Sequence, residues 1–271
     1  MGGMVGRATY DYSGESAVVT GSTSGIGRGI ATALAEADAD VVVNSRTASD
    51  VDETAAELDE LGDGSVVGVA ADLSRTDEID RLIDEAIDAF GEIGILVNNA
   101  AVWPEEASMV DAPLEDWDAA MHVNVRAQYY ASKLVARHMI ERGLEGSIVN
   151  VTSQTGDRRT GGRGLYGTSK TAVNGLTWRM AHELANEDIR MNAVSTDATD
   201  SRQLRREAGR IAADRSGQTT EDVLEEWAAE RPLGRLGRPA DVADAVLFLC
   251  SDAATYVVGT ILRVSGGGNL Q

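Results

Sequence analysis

Lysine is nearly missing from this chain: Lys133 and Lys170 are the two in 271 residues, so arginine supplies almost all of the 24 basic side chains. Cysteine is scarcer, with Cys250 alone, which excludes an intrachain disulfide framework. That thiol falls inside the apolar run 242–250, the setting of a buried, inert side chain in a reducing cytoplasm. No apolar run approaches the ~20 residues of a membrane span, and residues 1–16 lack the basic start and apolar centre of an export signal, so a soluble, cytoplasmic chain with no membrane partner is expected. Three histidines, His122, His138 and His182, lie scattered without carboxylates or cysteine at ligand spacing, and no metal site is expected. Positive charge is short overall: 44 acidic residues against 24 basic give a net charge of −20. Such a coat repels nucleic acid. Acidity of this size with arginine in place of lysine resembles the proteins of salt-loving microbes, whose internal salt screens surface self-repulsion.

What is present is a regular alternation. Apolar runs at 17–19, 41–43, 66–70, 95–97, 148–151, 191–194 and 261–264 read as buried strands, and helical stretches separate them. The helix at 76–90 shows its period plainly, with Ile79, Leu82, Ile83, Ala86, Ile87 and Phe90 on one stripe and acidic residues opposite. The predicted fold class is α/β: a doubly wound parallel sheet of about seven strands flanked by helices on both faces, in a single domain over residues 1–271. The charge-rich stretch 197–231 breaks the alternation and is expected to form a helical lid over a substrate cleft. Helices at 118–141 and 166–185 carry apolar residues on more than one face.

Two constellations carry chemistry. The first is Thr20-Gly21-Ser22-Thr23-Ser24-Gly25-Ile26-Gly27, set between a strand and a helix. Glycines let the backbone approach a ligand, and the helix start offers unpaired N–H groups and a positive dipole end to a pyrophosphate. The second is Tyr166, with Lys170 four residues on and Ser153 at the end of a strand. Positions i and i+4 share a helix face, so the ammonium is expected beside the phenol, lowering its pKa from about 10 toward the range of a general acid/base.

With this glycine spacing, Asp72-Leu73, Asn98-Asn99-Ala100, Asn124 and the Ser153, Tyr166 and Lys170 set follow in order, and the chain resembles the short-chain dehydrogenase/reductase family from about residue 12 to residue 267. The resemblance implies a Rossmann fold binding NAD(P). It implies a catalytic set of Asn124, Ser153, Tyr166 and Lys170. Tyr166 passes a proton to the substrate oxygen, Ser153 hydrogen-bonds that oxygen, Lys170 binds the nicotinamide ribose, and Asn124 holds a water in the proton relay. Cofactor contacts are implied at Gly21, Ser24, Gly25, Ile26, Gly27, Ser45, Arg46, Asp72, Leu73, Asn99, Ala100, Tyr166, Lys170 and Thr199. NAD-dependent members carry an acidic residue where Ser45 stands. With none here and Arg46 suited to a 2′-phosphate, NADP(H) is favoured over NAD(H).

The chain departs from the family where Thr196-Asp197 replaces Pro-Gly, where Ala101 replaces a glycine and where Ser265 replaces an aspartate. Trp103 divides evenly between pocket lining and packing. Arg158, Arg159 and Arg163, with Arg202, Arg205, Arg206 and Arg210, would suit an anionic substrate, but ion pairing within an acidic protein is the favoured reading. The implied activity is hydride transfer between nicotinamide and a carbonyl or secondary alcohol substrate: a 3-oxoacyl thioester, a ketone or a sugar or polyol. The alternatives are an NAD-dependent dehydrogenase of the same family, an epimerase or dehydratase, and a non-catalytic NADP-binding redox sensor. A homotetramer is expected, as in relatives that pair the helices at 118–141 and 166–185, with Leu134 and Trp178 as candidate contacts.

Overall fold

All seven apolar runs become strands of one parallel sheet in the order β3-β2-β1-β4-β5-β6-β7. They are β1 Ser16–Val19, β2 Asp40–Ser45, β3 Val66–Ala70, β4 Ile95–Asn98, β5 Gly146–Ser153, β6 Ile189–Thr196 and β7 Ile261–Val264. The helices are α1 Gly25–Ala35, α2 Ala48–Leu58, α3 Thr76–Phe90, α4 Leu114–Ala120, α5 Gln128–Arg142, α6 Gly164–Leu184, α7 Arg202–Asp214, α8 Thr220–Ala229 and α9 Pro239–Cys250. This computed structural model describes residues 8–104, 108–157, 163–268 and 270.

Strand alternation divides the core into two layers. Ala17, Val19, Val41 and Val43 face α1, α2 and α9 through Ile30, Leu34, Val51 and Val246. Val18, Val42 and Ile148 face the other way, toward Ile79 and Leu82 of α3, Val135 and Met139 of α5 and Leu184 of α6. Because the central strands β1, β2 and β4 are covered on both faces, they carry continuous apolar runs, while β7 at the edge keeps Arg263 exposed. Leu82 is fully buried on the predicted stripe of α3, and its loss to alanine would cost about 2–5 kcal/mol.

The chain builds outward from β1 to β3 and then crosses to β4 on the other side of β1, so β1 and β4 are neighbours whose connections run in opposite directions. A crevice opens beyond the carboxyl ends of strands at such a switch point.

One feature differs from the sequence expectation. The helix anticipated over 118–141 is not one continuous α-helix: α4 passes into a π-helical segment, Met121–Ala127, before α5 begins. A π-helical turn carries an extra residue, and Asn124, which lies within this one, is wholly buried. The charge-rich stretch after β6 forms α7 and α8, which gather a small apolar cluster of their own from Leu204, Ala208, Ala212, Val223 and Leu224, with Trp103, Ile211 and Trp227 packed against it.

Candidate active site

The crevice is a cleft of about 830 Å³ running from the α1 N-terminus to α7 and α8. Its outer end is the glycine loop. Gly21 and Gly25 adopt positive φ, 64° and 58°. A Cβ on Gly27 would lie 2.3 Å from both Asn99 Nδ2 and the Gly21 carbonyl oxygen, so only glycine fits there. Asn99 staples the loop: its Nδ2 donates to the carbonyls of Thr20 (2.9 Å) and Gly21 (3.0 Å). The first turn of α1 carries no acidic side chain, leaving the helix start free for an anion.

At the inner end, β5 delivers Ser153 and α6 delivers Tyr166 and Lys170. Ser153 hydrogen-bonds the phenol and accepts from the Thr155 backbone N–H (3.2 Å) and hydroxyl (3.0 Å). Lys170 is buried, with Nζ donating to the Val151 carbonyl (2.8 Å) and standing 5.6 Å from the Tyr166 ring centroid. Burial pushes the Lys170 ammonium down to about 8. It pushes the Tyr166 phenol up to about 12, against the lowering influence of Arg163 and of the Ser153 hydrogen bond. The expectation that Lys170 lowers the phenol is therefore corrected: the shared helix face is present, but desolvation dominates and the nearby cation that counts is Arg163.

Asn124 does not line the cleft. Its Oδ1 accepts from the Val102 N–H (2.7 Å), and its Nδ2 donates to the Val102 carbonyl (3.0 Å) and Ser169 Oγ (3.0 Å). Those bonds fix the loop after β4 to α6. The anticipated cofactor residues Gly21, Ser24, Gly25, Ile26, Gly27, Ser45, Arg46, Asp72, Leu73, Asn99, Ala100 and Thr199 all line the cleft with Ser153, Tyr166 and Lys170. Trp103 both lines it and packs: its ring lies 5.6 Å from that of Tyr166, and the Arg163 guanidinium stacks on it at 3.7 Å.

Of the arginines set aside for ion pairing, Arg205 pairs with Asp200 and Glu221, Arg210 with Glu207, and Arg163 with Glu207. Arg202 lines the cleft, and Arg158 and Arg159 lie outside the described residues. Sequence reasoning missed the partner of Asp197. Arg231, at the end of α8, grips it with Nε (2.8 Å) and Nη2 (3.0 Å), a contact between residues 34 apart that no local pattern announces.

Comparison with known proteins fits this geometry. A family model described as enoyl-(acyl carrier protein) reductase matches residues 21–269. The chain belongs to the short-chain dehydrogenase/reductase family. It is an NAD(P)-dependent oxidoreductase. It is 39% identical over 254 residues to dehydrogenase/reductase SDR family member 4 of Sus scrofa, covering 93% of this chain and 86% of that one. Among solved structures, L-sorbose reductase of Gluconobacter frateurii, complexed with NADPH and L-sorbose, superposes with a TM-score of 0.90 at 29% identity, covering 96% and 98% of the two chains. The 3-ketoacyl-(acyl-carrier-protein) reductase of Brucella melitensis, complexed with NADH, does so with a TM-score of 0.83 at 30% identity, covering 95% and 99%.

The residues present fit a nicotinamide dinucleotide. A cradle that admits no side chain at Gly27 meets an acid-free helix start suited to pyrophosphate. In this short-chain dehydrogenase/reductase the loop after β6 is held by the Asp197–Arg231 pair. Among the described residues no helix is long and apolar enough to cross a membrane, and no group of three metal-ligating side chains forms.

Proposed function

We propose that this protein is an NADP-dependent carbonyl reductase and alcohol dehydrogenase acting on a 3-oxoacyl thioester, a ketone or a sugar or polyol, with α7 and α8 as its substrate lid. The observation carrying this reading is the convergence of the Tyr166 phenol, the Ser153 hydroxyl and the Lys170 ammonium at one end of a cleft whose other end is the glycine cradle. When bound, the cofactor supplies or accepts the hydride.

Tyr166 holds a proton at its Oη, and burial keeps it there at neutral pH, the state that reduction requires of an acid. As the substrate carbonyl oxygen gains negative charge, the phenol donates to it and Ser153 Oγ–H donates beside it, both preorganised by the fold. Thr155 fixes the Ser153 rotamer by donating to its oxygen. Lys170 is the cation available to nicotinamide ribose hydroxyls. Trp103, Leu204 and Trp227 wall the substrate end and exclude water. In the oxidative direction the same phenol must first lose its proton.

NADP is favoured because Ser45 presents no carboxylate at the end of β2, while Arg46 lines the cleft and joins no ion pair among the described residues. The NADPH of the L-sorbose reductase neighbour supports this, and the NADH of the Brucella neighbour is the observation on the side of NAD. Retention of both Tyr166 and Lys170 speaks against a non-catalytic sensor. A cytoplasmic setting suits the buried Cys250, whose thiol burial pushes up to about 11.

A homotetramer suits the apolar side chains left on the outside of α5 and α6: Tyr129, Ile140 and Trp178, the last 54% exposed. Leu134 packs instead against the core. Light scattering returning a mass of 28.6 kDa would refute assembly.

Ketones, 3-oxoacyl thioesters and sugars tested with NADPH, its absorbance followed, would identify the substrate class. Tyr166→Phe should keep NADPH binding and slow turnover by about 100-fold or more, the scale for losing a general acid. Near wild-type turnover in that variant would overturn the mechanism.

A further inference from the structure

Arg163 is built into this site in a way that neither the fold nor the hydride-transfer reading requires. It precedes α6 in the left-handed region, at φ 65°, a conformation that disfavours any side chain with a Cβ. The sequence there is Gly161-Gly162-Arg163-Gly164, yet arginine rather than glycine takes this position. Its guanidinium carbon lies over Trp103, 3.7 Å from the ring centroid, and Trp103 in turn lies 5.6 Å from the ring of Tyr166. On its other side, Nη2 stands 3.6 Å from Glu207 Oε1 of α7, with the two side chains only 19% and 18% exposed. Arg210 holds the same carboxylate at 2.9 Å and keeps it ionised.

The order of groups is therefore phenol, indole, guanidinium, carboxylate, spanning the cleft from the catalytic helix to α7. A cation this close to a desolvated phenol favours the phenolate, and a carboxylate beside that cation subtracts from its field. We propose that Arg163 sets the acid strength of Tyr166 and that Glu207 sets how much of the Arg163 charge the phenol feels, so that the protonation of the site follows the seating of α7. This rests on the reading of Tyr166 as the proton donor. Arg163 acts through Tyr166 and is a positioning residue.

The other ionisable groups about the phenol act differently. Lys170, on the same helix, points Nζ at the Val151 carbonyl. Asp197 of the loop after β6 and Arg231 at the end of α8 neutralise each other. His122 from the π-helical segment, Asp72 after β3 and Arg202 of α7 line the same cleft and are left unchanged in every variant tested.

The test uses charge sign. Arg163→Gln and Glu207→Gln both break the Arg163–Glu207 ion pair, Glu207→Gln also releasing Arg210, so a purely structural role, such as loosening α7, would move the phenol in the same direction in both. On the electrostatic reading they must move the phenol in opposite directions. With NADP⁺ bound, the ionisation of Tyr166 is followed as the tyrosinate ultraviolet absorbance of each protein minus that of its Tyr166→Phe counterpart. At a fixed pH about one unit below the wild-type midpoint, Arg163→Gln should show roughly tenfold less Tyr166 tyrosinate, Glu207→Gln roughly two- to threefold more, and Arg163→Lys, which keeps the charge, close to the wild-type amount. Shifts in the same direction, or no shift in either variant, would overturn the proposal. Full turnover in Tyr166→Phe would instead overturn the reading beneath it, so the two failures are told apart.

Discussion

Asp197 is the residue whose removal should reveal most about how this chain holds its cleft together. In the loop after β6, Arg231 binds the Asp197 carboxylate bidentately, at 2.8 and 3.0 Å, with side chains only 11% and 14% exposed. Arg231 also donates to the Trp227 carbonyl and to Glu230 (3.1 Å), so the pair ties the end of α8 to the carboxyl end of β6. Asp197→Asn keeps shape and removes charge, leaving a nearly buried guanidinium with the exposed Glu230 as its remaining anionic partner. Breaking a fully buried pair costs about 3–5 kcal/mol, and residual exposure with a surviving partner places this one at about 2–3 kcal/mol. At roughly 2–4 °C per kcal/mol for a chain of this size, the melting temperature should fall by about 5–10 °C, measured at equal protein concentration. Adding Arg231→Leu should recover part of the loss, because the stranded charge goes with it. A double-mutant cycle showing coupling of at least about 1 kcal/mol would support this account. Strict additivity, or an Asp197→Asn variant as stable as the parent, would refute it.

Cofactor choice should follow two adjacent residues: wild type is expected to show a higher kcat/KM with NADPH than with NADH by about 10- to 150-fold, from a charge-assisted contact of roughly 1.5–3 kcal/mol. Ser45→Asp with Arg46→Ala should reverse that ratio, and better use of NADH by the wild type would leave Arg46 a solvated arginine. The net charge of −20 predicts that molar KCl raises the melting temperature, because the Debye length shrinks to ~3 Å at 1 M and self-repulsion is screened before the partly buried pairs are. An unchanged melt would remove the inference of salt adaptation. Lys170 ionises lower in the folded protein, at about 8, than its ordinary 10.5, so between those values the unfolded chain binds the extra proton and the Lys170 contribution to stability rises with pH, opposed by the buried Cys250 thiol, which is raised to about 11. In urea titrations of the cofactor-free protein, the stability of wild type relative to Lys170→Met should increase from pH 8 to pH 9, and a relative decrease would contradict the sign.

The sheet was legible because its central strands are buried on both faces, so β1, β2 and β4 carry uninterrupted apolar runs whatever their neighbours are; the bounds of β3, α3 and β7 coincide with the sequence reading. The glycine cradle was legible for a related reason. A requirement for positive φ or for absent Cβ, as at Gly21 and Gly27, is local and leaves a residue type behind. The π-helical segment was not legible, since Met121–Ala127 has ordinary helical composition and the extra residue is imposed by where Asn124 must reach, between Val102 and Ser169. The Asp197–Arg231 pair was hidden too, because a partner 34 residues away is chosen by the packing of α8 rather than by spacing along the chain.

Acid strength lies deeper still. The four-residue step from Tyr166 to Lys170 does place both on one face of α6, and from spacing alone the ammonium should ease the phenol's ionisation. Spacing says nothing of dielectric. Both groups are buried, desolvation outweighs their mutual effect, and each moves toward its neutral form: the phenol up to about 12, the ammonium down to about 8. The charge that opposes this on the phenol comes from Arg163, three residues upstream, whose nearness depends on a left-handed turn and a tryptophan from the loop after β4. A motif can thus name the atoms that exchange the proton, while the ease of the exchange is decided by burial and by charges that tertiary structure brings in from elsewhere.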